Sequence, residues 1–449
     1  MLLRRYRKGD VQRVNIDCDR ITTRAVVSAG GALMYTPFSR YWSISTDPGQ
    51  ARRAYGGRRS CLMRTLCCVA LAALLGMAGA GGLSAGTQPI RIGATVSSSG
   101  KYAEPSQMVQ AGYRLWARQI NLRGGLLNRP VELVLLDDQS REEDVRRHYR
   151  HFIEDDPVDL VLSPYGTPLT LAASEISERN GYVMLASAAS GNILFNRGYR
   201  GLFGVYAPAN RYFIGLVDLM ARHGLQTVAI LHEDNPFNRD VAEGTESWAR
   251  KFGLQVVMRR SFSEVPRDLP DAVAELHQGF PSTDGLIFSA YSPNCYRLIQ
   301  ILAERGWRPP VIAQTIAPIH PDYYTKAGPA AEGVFGPSQW EPDERVPFPG
   351  TQQFIHDFEA ETGLKPSYHA AAGYTACQIL EKAVTSTGTL DQETLRNFIA
   401  SMDSVTVLGR FKVDHRGMQI GHNPFLIQWQ DGEKKIVYPR KLQTADPRF

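Results

Sequence analysis

Cysteine is scarce in most of this chain. Of six, Cys18, Cys61, Cys67 and Cys68 crowd the N-terminal part, and only Cys295 and Cys377 remain beyond it. Two thiols so far apart rule out a fold stapled by disulfides. They leave two readings, a pair of buried free thiols or one bridge formed in an oxidising compartment. There is no Cys-x-x-Cys pair and no cluster of His, Cys, Asp and Glu at ligand spacing, so no metal is expected. Glycine-rich phosphate loops are missing too: neither G-x-G-x-x-G after a strand nor G-x-x-x-x-G-K-[ST] occurs. Their absence argues against a nucleotide-using enzyme, and no cofactor is expected.

Basic charge is lacking over most of the length. Residues 1–86 hold 13 Lys and Arg against 4 Asp. Out of chain totals of 50 basic and 45 acidic residues, that leaves 37 against 41 for the rest. A mildly acidic body carries no nucleic-acid footprint. An apolar run, Leu66–Leu75, follows Arg64 and passes through small residues to Leu83-Ser84-Ala85. It falls short of the ~20 residues of a membrane span. Its layout is that of a cleaved secretory signal over residues 63–86. No cysteine follows, so no lipid anchor is expected. Residues 1–62 carry scattered arginine without periodicity. They read either as a start placed too early, with Met63 as the true one, or as a disordered leader.

From residue 87 short apolar strands alternate with amphipathic helices. Strands are expected at 90–96, 131–136, 158–163 and 182–186, with helices at 105–121, 141–155 and 169–179 between them. After a crossing strand at 202–206 and a helix at 211–223, the rhythm restarts. Strands at 227–232, 255–260, 285–289 and 311–314 enclose helices at 238–252, 269–278 and 293–305. Helices at 351–362, 368–385 and 392–402 follow, then β-like segments near 407–413, 425–429 and 435–438. Helices of about 10–15 residues between such strands predict parallel sheets. The expected fold is therefore α/β with two doubly wound lobes. Residues 87–205 and 336–408 form the first, and 206–335 and 409–449 the second, joined by three crossings and a hinge.

Ligands of open α/β sheets sit beyond the carboxyl ends of the strands, where the strand order reverses. The loops expected there, Ser97–Tyr102, Pro164–Thr167 and Ser187–Ser190, are rich in hydroxyls and small residues. Such loops present main-chain N–H and hydroxyl groups to an anion, although the same residues also cap helices.

The segment INLRGGLLNRPVELVLLDD (residues 120–138) resembles the helix–Gly-Gly–strand signature of the branched-chain amino-acid (Leu/Ile/Val) binding protein family. These are type I periplasmic solute-binding proteins of ABC importers. Matching stretches follow in the family's order: IRIGATVSSSGKYA, SPYGTPLTLAAS, VAILHEDNPFNRDVAEG, AEGVFGPSQW and VLGRFKVDHRG. The resemblance spans residues 88–440. It implies a non-enzymatic, periplasmic, monomeric protein that closes two lobes over a small molecule and delivers it to ABC permease subunits. The same module used as a ligand sensor for a membrane receptor is the alternative.

The resemblance also implies where the ligand sits. Tyr165, Gly166, Thr167, Ala188 and Ser190 match positions that hold the carboxylate and part of the ammonium of an amino acid. Phe237 and Tyr291 match aromatic positions of the second lobe, and Tyr102 adds apolar surface. One departure stands out. The family's acidic partner for the ammonium is missing around Gln314-Thr315-Ile316-Ala317, with Glu104, Glu233 and Asp234 as the only substitutes in view. The expected ligand is thus a small organic anion or amide with an apolar or aromatic body. Trp340 reads equally as a cleft wall or a core residue. Asp137 and Asp138 read as helix caps, and His232, His320, His369 and His422 as structural or solvated.

Export is directly testable: mass spectrometry of the secreted or periplasmic protein should find its N-terminus near Gly86. A cytoplasmic chain beginning at Met1 would contradict the signal reading.

Overall fold

The computed structural model describes residues 88–265 and 267–449; the expected leader (1–62) and signal (63–86) lie outside them. The first sheet contains β1 (Ile90–Val96), β2 (Val131–Asp137), β3 (Leu160–Leu162), β4 (Met184–Ala186) and β5 (Leu202–Gly204). Its order is β2-β1-β3-β4-β5, parallel throughout. The second sheet begins with β6 (Thr227–Glu233), β7 (Gln255–Phe262), β8 (Gly285–Ser289), β9 (Val311–Gln314) and β10 (Phe335–Ser338). Their order, β7-β6-β8-β9-β10, repeats that of the first sheet. After the short hairpin β11 (Ser404–Thr406) and β12 (Gly409–Phe411), antiparallel β13 (Phe425–Gln430) and β14 (Glu433–Tyr438) extend the second sheet beyond β10.

Burial follows strand position. The central strands β3, β4 and β8 are buried at every residue, as strands covered by helices on both faces must be. The edge strands β2 and β7 keep half-exposed positions. In each sheet the order reverses beside the first strand, between β1 and β3 and between β6 and β8. Both sheets therefore offer a crevice at their carboxyl ends.

Two of the expected lobe boundaries shift. β5 pairs with β4, so residues 202–204 of the expected crossing strand belong to the first sheet, and the expected change of lobe between residues 205 and 206 follows directly after it. β10 pairs with β9 and β13, which keeps residues 336–338 in the second sheet; the chain leaves at Gln339 rather than Gly336. The hairpin does not return at Leu408 either. Val407 N–H donates to Gln378 Oε1 of the Tyr368–Thr387 helix, and the second sheet resumes only at Phe425. Pairing, which depends on distant partners, decides these boundaries, and the local apolar pattern cannot report it.

The crossings are laced together by amide side chains. Gln339 accepts from Ala207 N–H (2.9 Å) and donates back to its carbonyl (3.4 Å), while Gln419 donates to the Val205 carbonyl (3.3 Å). A primary amide carries both a donor and an acceptor, so it can pair with a peptide group as another strand would.

In the first lobe the helices Ala103–Leu122 and Tyr368–Thr387 touch through glycine. A Cβ at Gly112 would lie 2.2 Å from the Ala370 carbonyl oxygen, and one at Gly373 2.4 Å from that of Val109. Cys295 and Cys377 are buried free thiols. No helix among the described residues is long and apolar enough to cross a membrane.

The glycine contact sets the height at which the Tyr368–Thr387 helix begins. Gly112→Ala should force these helices apart, costing about 1–3 kcal/mol and lowering the melting temperature by several degrees. Calorimetry of the purified variant checks this; an unchanged transition would show that the contact is slack.

Candidate functional site

The loops that follow β3 and β4 meet the second sheet's loops around a narrow cleft lined from both sides. Tyr165 bridges to Ala188, and Gly166 N–H donates to the Ala188 carbonyl (3.0 Å), which fastens the two loops together. Gly166 holds φ near +81°, a conformation that favours glycine, and it opens the Thr167–Arg179 helix. Thr167 Oγ1 accepts from Gly191 N–H (3.0 Å), and Ser190 Oγ pairs with the Tyr212 hydroxyl (2.8 Å). From the second lobe come Phe237, in the first turn of the Pro236–Lys251 helix, and Tyr291, which precedes the Ser292–Glu304 helix.

Seven of the eight residues expected at the site line this cavity: Tyr165, Gly166, Thr167, Ala188, Ser190, Phe237 and Tyr291. Tyr102 does not. Its ring lies behind those of Tyr291 (4.6 Å between centroids) and Tyr165 (5.7 Å). In the loop after β1, Ser97 Oγ donates to Asp138, as does Thr95 Oγ1 of β1 itself, and the Ser99 carbonyl accepts from Ser140. Asp138 thus ties β1 to β2 rather than capping a helix. Trp340 is fully buried against Phe354, in the core and not on the cleft.

Sequence reasoning missed Tyr206, Tyr212, Ile316, Tyr368 and His369, which complete the lining. Tyr206 and Tyr212 flank the first crossing, while Tyr368 and His369 begin a helix far along the chain. Only the return of that helix to the first lobe brings it to the cleft. His369, expected to be structural or solvated, is buried and also lines this cleft. Its Nδ1 meets the Tyr206 hydroxyl (2.9 Å), and its Nε2 has no partner.

The cavity holds no ionised side chain. Burial raises the pKa of Tyr165, Tyr206, Tyr291 and Tyr368 and pushes Tyr212 up to about 12; it lowers that of His369. Ile316 stands after β9, at the place where the resembling family carries its acidic partner. The substitutes are elsewhere: Glu104 pairs with Lys326, Asp234 with Arg239 (2.7 Å), and Glu233 lies behind Tyr291. There Glu233 accepts from Asn235, Asn238, Asn294 and Tyr291 N–H, and fixes the start of the Tyr291 helix.

Residues 89–434 match the family described as periplasmic binding protein. The chain belongs to that family. Among curated relatives, Leu/Ile/Val-binding protein homolog 7 of Brucella suis is 22% identical over 401 residues, covering 86% of this chain and 98% of the relative. Leucine binding protein LivK from Thermotoga maritima superposes with a TM-score of 0.71 at 18% identity, over 77% of this chain and 97% of that one. A solute binding protein of an ABC transporter from R. palustris, in complex with benzoate, gives 0.69 at 18% identity over 80% and 97%. At such identities the structural likenesses establish the two-lobed fold of type I periplasmic binding proteins.

Burial moves the Glu233 carboxyl from its ordinary 4.5 up to about 7. Between those values the folded chain holds a proton that an unfolded glutamate has lost. Stability from this group therefore rises as pH falls from about 7 to 4.5, by roughly 3 kcal/mol. Melting curves against pH should show this rise in the wild type and a reduced one in Glu233→Gln. Equal pH dependence in both would refute the assignment.

Proposed function

We propose that this chain is the exported solute-binding component of an ABC importer, trapping a small organic carboxylate or amide between its lobes and presenting it to permease subunits in the membrane. The observation that carries this reading is the cleft at the facing carboxyl ends of the two sheets, lined by residues of both lobes. Family membership supports the same role, as do relatives named as Leu/Ile/Val-binding protein homologs and ABC transporter solute-binding proteins.

Closure is held at the rim as well as the centre. Lys101 pairs with Glu264 (2.5 Å), Lys326 with Glu104, and Asn192 N–H donates to Asp240 (2.7 Å), each contact joining one lobe to the other. Exposed pairs of this kind contribute little individually. A ligand that touches both lobes supplies the differential affinity that shifts the population to the closed state. We read the site as non-catalytic. Ser190 is paired with Tyr212 and His369 with Tyr206, so neither hydroxyl nor imidazole is arranged as a nucleophile with its base.

A thermal-shift screen of the mature chain against amino acids, amides, aromatic acids and dicarboxylates tests the role. A true ligand should raise the melting temperature with the logarithm of its concentration, by about 2.7 kcal/mol of stability at a hundredfold excess over Kd. No shift from any class at millimolar concentration would contradict solute binding.

A further inference from the structure

We infer that the ligand is an aromatic monocarboxylate without an amino group, and that His369 selects it by donating its Nε2–H to a ligand oxygen. This rests on the solute-binding reading above and narrows it.

The hydrogen-bonding inventory of the cavity favours an acceptor. Tyr206 has one hydrogen-bond partner, His369 Nδ1, and a buried phenol must place its hydrogen somewhere. Donation to Nδ1 uses that hydrogen and leaves the proton of the neutral imidazole on Nε2. Nε2 is buried without a partner on a side chain that lines the cavity. An N–H in that position costs stability until an oxygen accepts it. Two helices also begin at the cavity, Thr167–Arg179 and Tyr368–Thr387, with Thr167, Tyr368 and His369 in its wall. Their first-turn N–H groups have no partner within the helix, and their dipoles favour negative charge.

An ammonium group finds the opposite conditions. The cavity lining contains no carboxylate. The Ala188 and Ser190 carbonyls are already bound, by the N–H groups of Gly166 and Ala209. An α-amino acid closed into this space would bury its ammonium beside imidazole, phenols and Ile316, the environment in which an unpaired charge is least stable. The remaining wall is aromatic: Tyr165, Tyr206, Tyr212, Tyr291 and Tyr368 with Phe237. A single ring bearing one carboxylate suits those walls, with its ring against the aromatic side chains and its carboxylate toward His369 and the helix starts.

Isothermal titration of the mature chain with benzoate, phenylalanine and leucine tests the inference. Benzoate should bind, and both amino acids should bind at least 100-fold more weakly. His369→Ala should weaken benzoate binding about 10- to 100-fold, and His369→Gln, whose amide can donate from a similar place, should recover part of it; circular dichroism confirms that each variant is folded. Leucine or phenylalanine binding as tightly as benzoate would overturn the ligand class while leaving the solute-binding role intact. Benzoate affinity unchanged in folded His369→Ala would overturn the assignment of His369. Failure of all three ligands would overturn the inference, and the thermal-shift screen then decides separately whether solute binding falls with it.

Discussion

A cleft walled by buried side chains can keep no ionised group without a partner, because desolvated charge is costly unless paired. That constraint accounts for where the acidic residues near the cleft have gone. Asp138 is spent on two hydroxyls and the Ser140 N–H in the junction between β1 and β2. Glu233 is enclosed by asparagine amides behind Tyr291. Glu104 faces Lys326 at the rim, and Asp234 pairs with Arg239 at the surface. What is left at the centre is neutral: hydroxyls, one imidazole, main-chain N–H groups and aromatic rings.

The same neutral centre is what lets the lobes meet so closely. Tyr291 of the second lobe packs its ring on Tyr102 and Tyr165 of the first, at 4.6 and 6.4 Å between centroids, and reaches Phe237 on its own side. Rings in tilted and edge contact add favourable quadrupole terms to their area burial. The geometry that brings them together is set further away. The glycine contact between Gly112 and the Tyr368–Thr387 helix fixes where Tyr368 and His369 lie, and Gln339 and Gln419 hold the crossings side by side. A hinge laced by side-chain amides leaves the rotation between lobes to a few residues, which suits closure about a fixed axis.

Much of this was legible in the sequence, and the residues show why. Strands such as Ile90–Val96 and Gly285–Ser289 announce themselves because buried parallel strands are continuous apolar runs. The loops Tyr165–Thr167 and Ala188–Ser190 could be found because they directly follow such strands, at the edge where ligands bind. Tyr206, Tyr212, Tyr368 and His369 could not, because nothing local distinguishes a tyrosine or histidine facing a cleft from one facing a core. Their place depends on three crossings whose limits are set by strand pairing, and those limits were displaced from the expected Gly336 and Leu408. Ser97 fails for a related reason: its hydroxyl sits at the right edge of the sheet, but Asp138, brought close by the β1–β2 pairing, claims it first.

A neutral cleft can receive a carboxylate only through hydrogen-bond donors. A crystal structure of the mature chain grown with benzoate tests this most directly. The carboxylate should lie within hydrogen-bonding distance of His369 Nε2 and of the main-chain N–H groups that open the Thr167–Arg179 or Tyr368–Thr387 helix, with the ring among Tyr165, Phe237 and Tyr291. A benzoate whose carboxylate turns away from His369, or a cleft that stays empty at saturating benzoate, would contradict it.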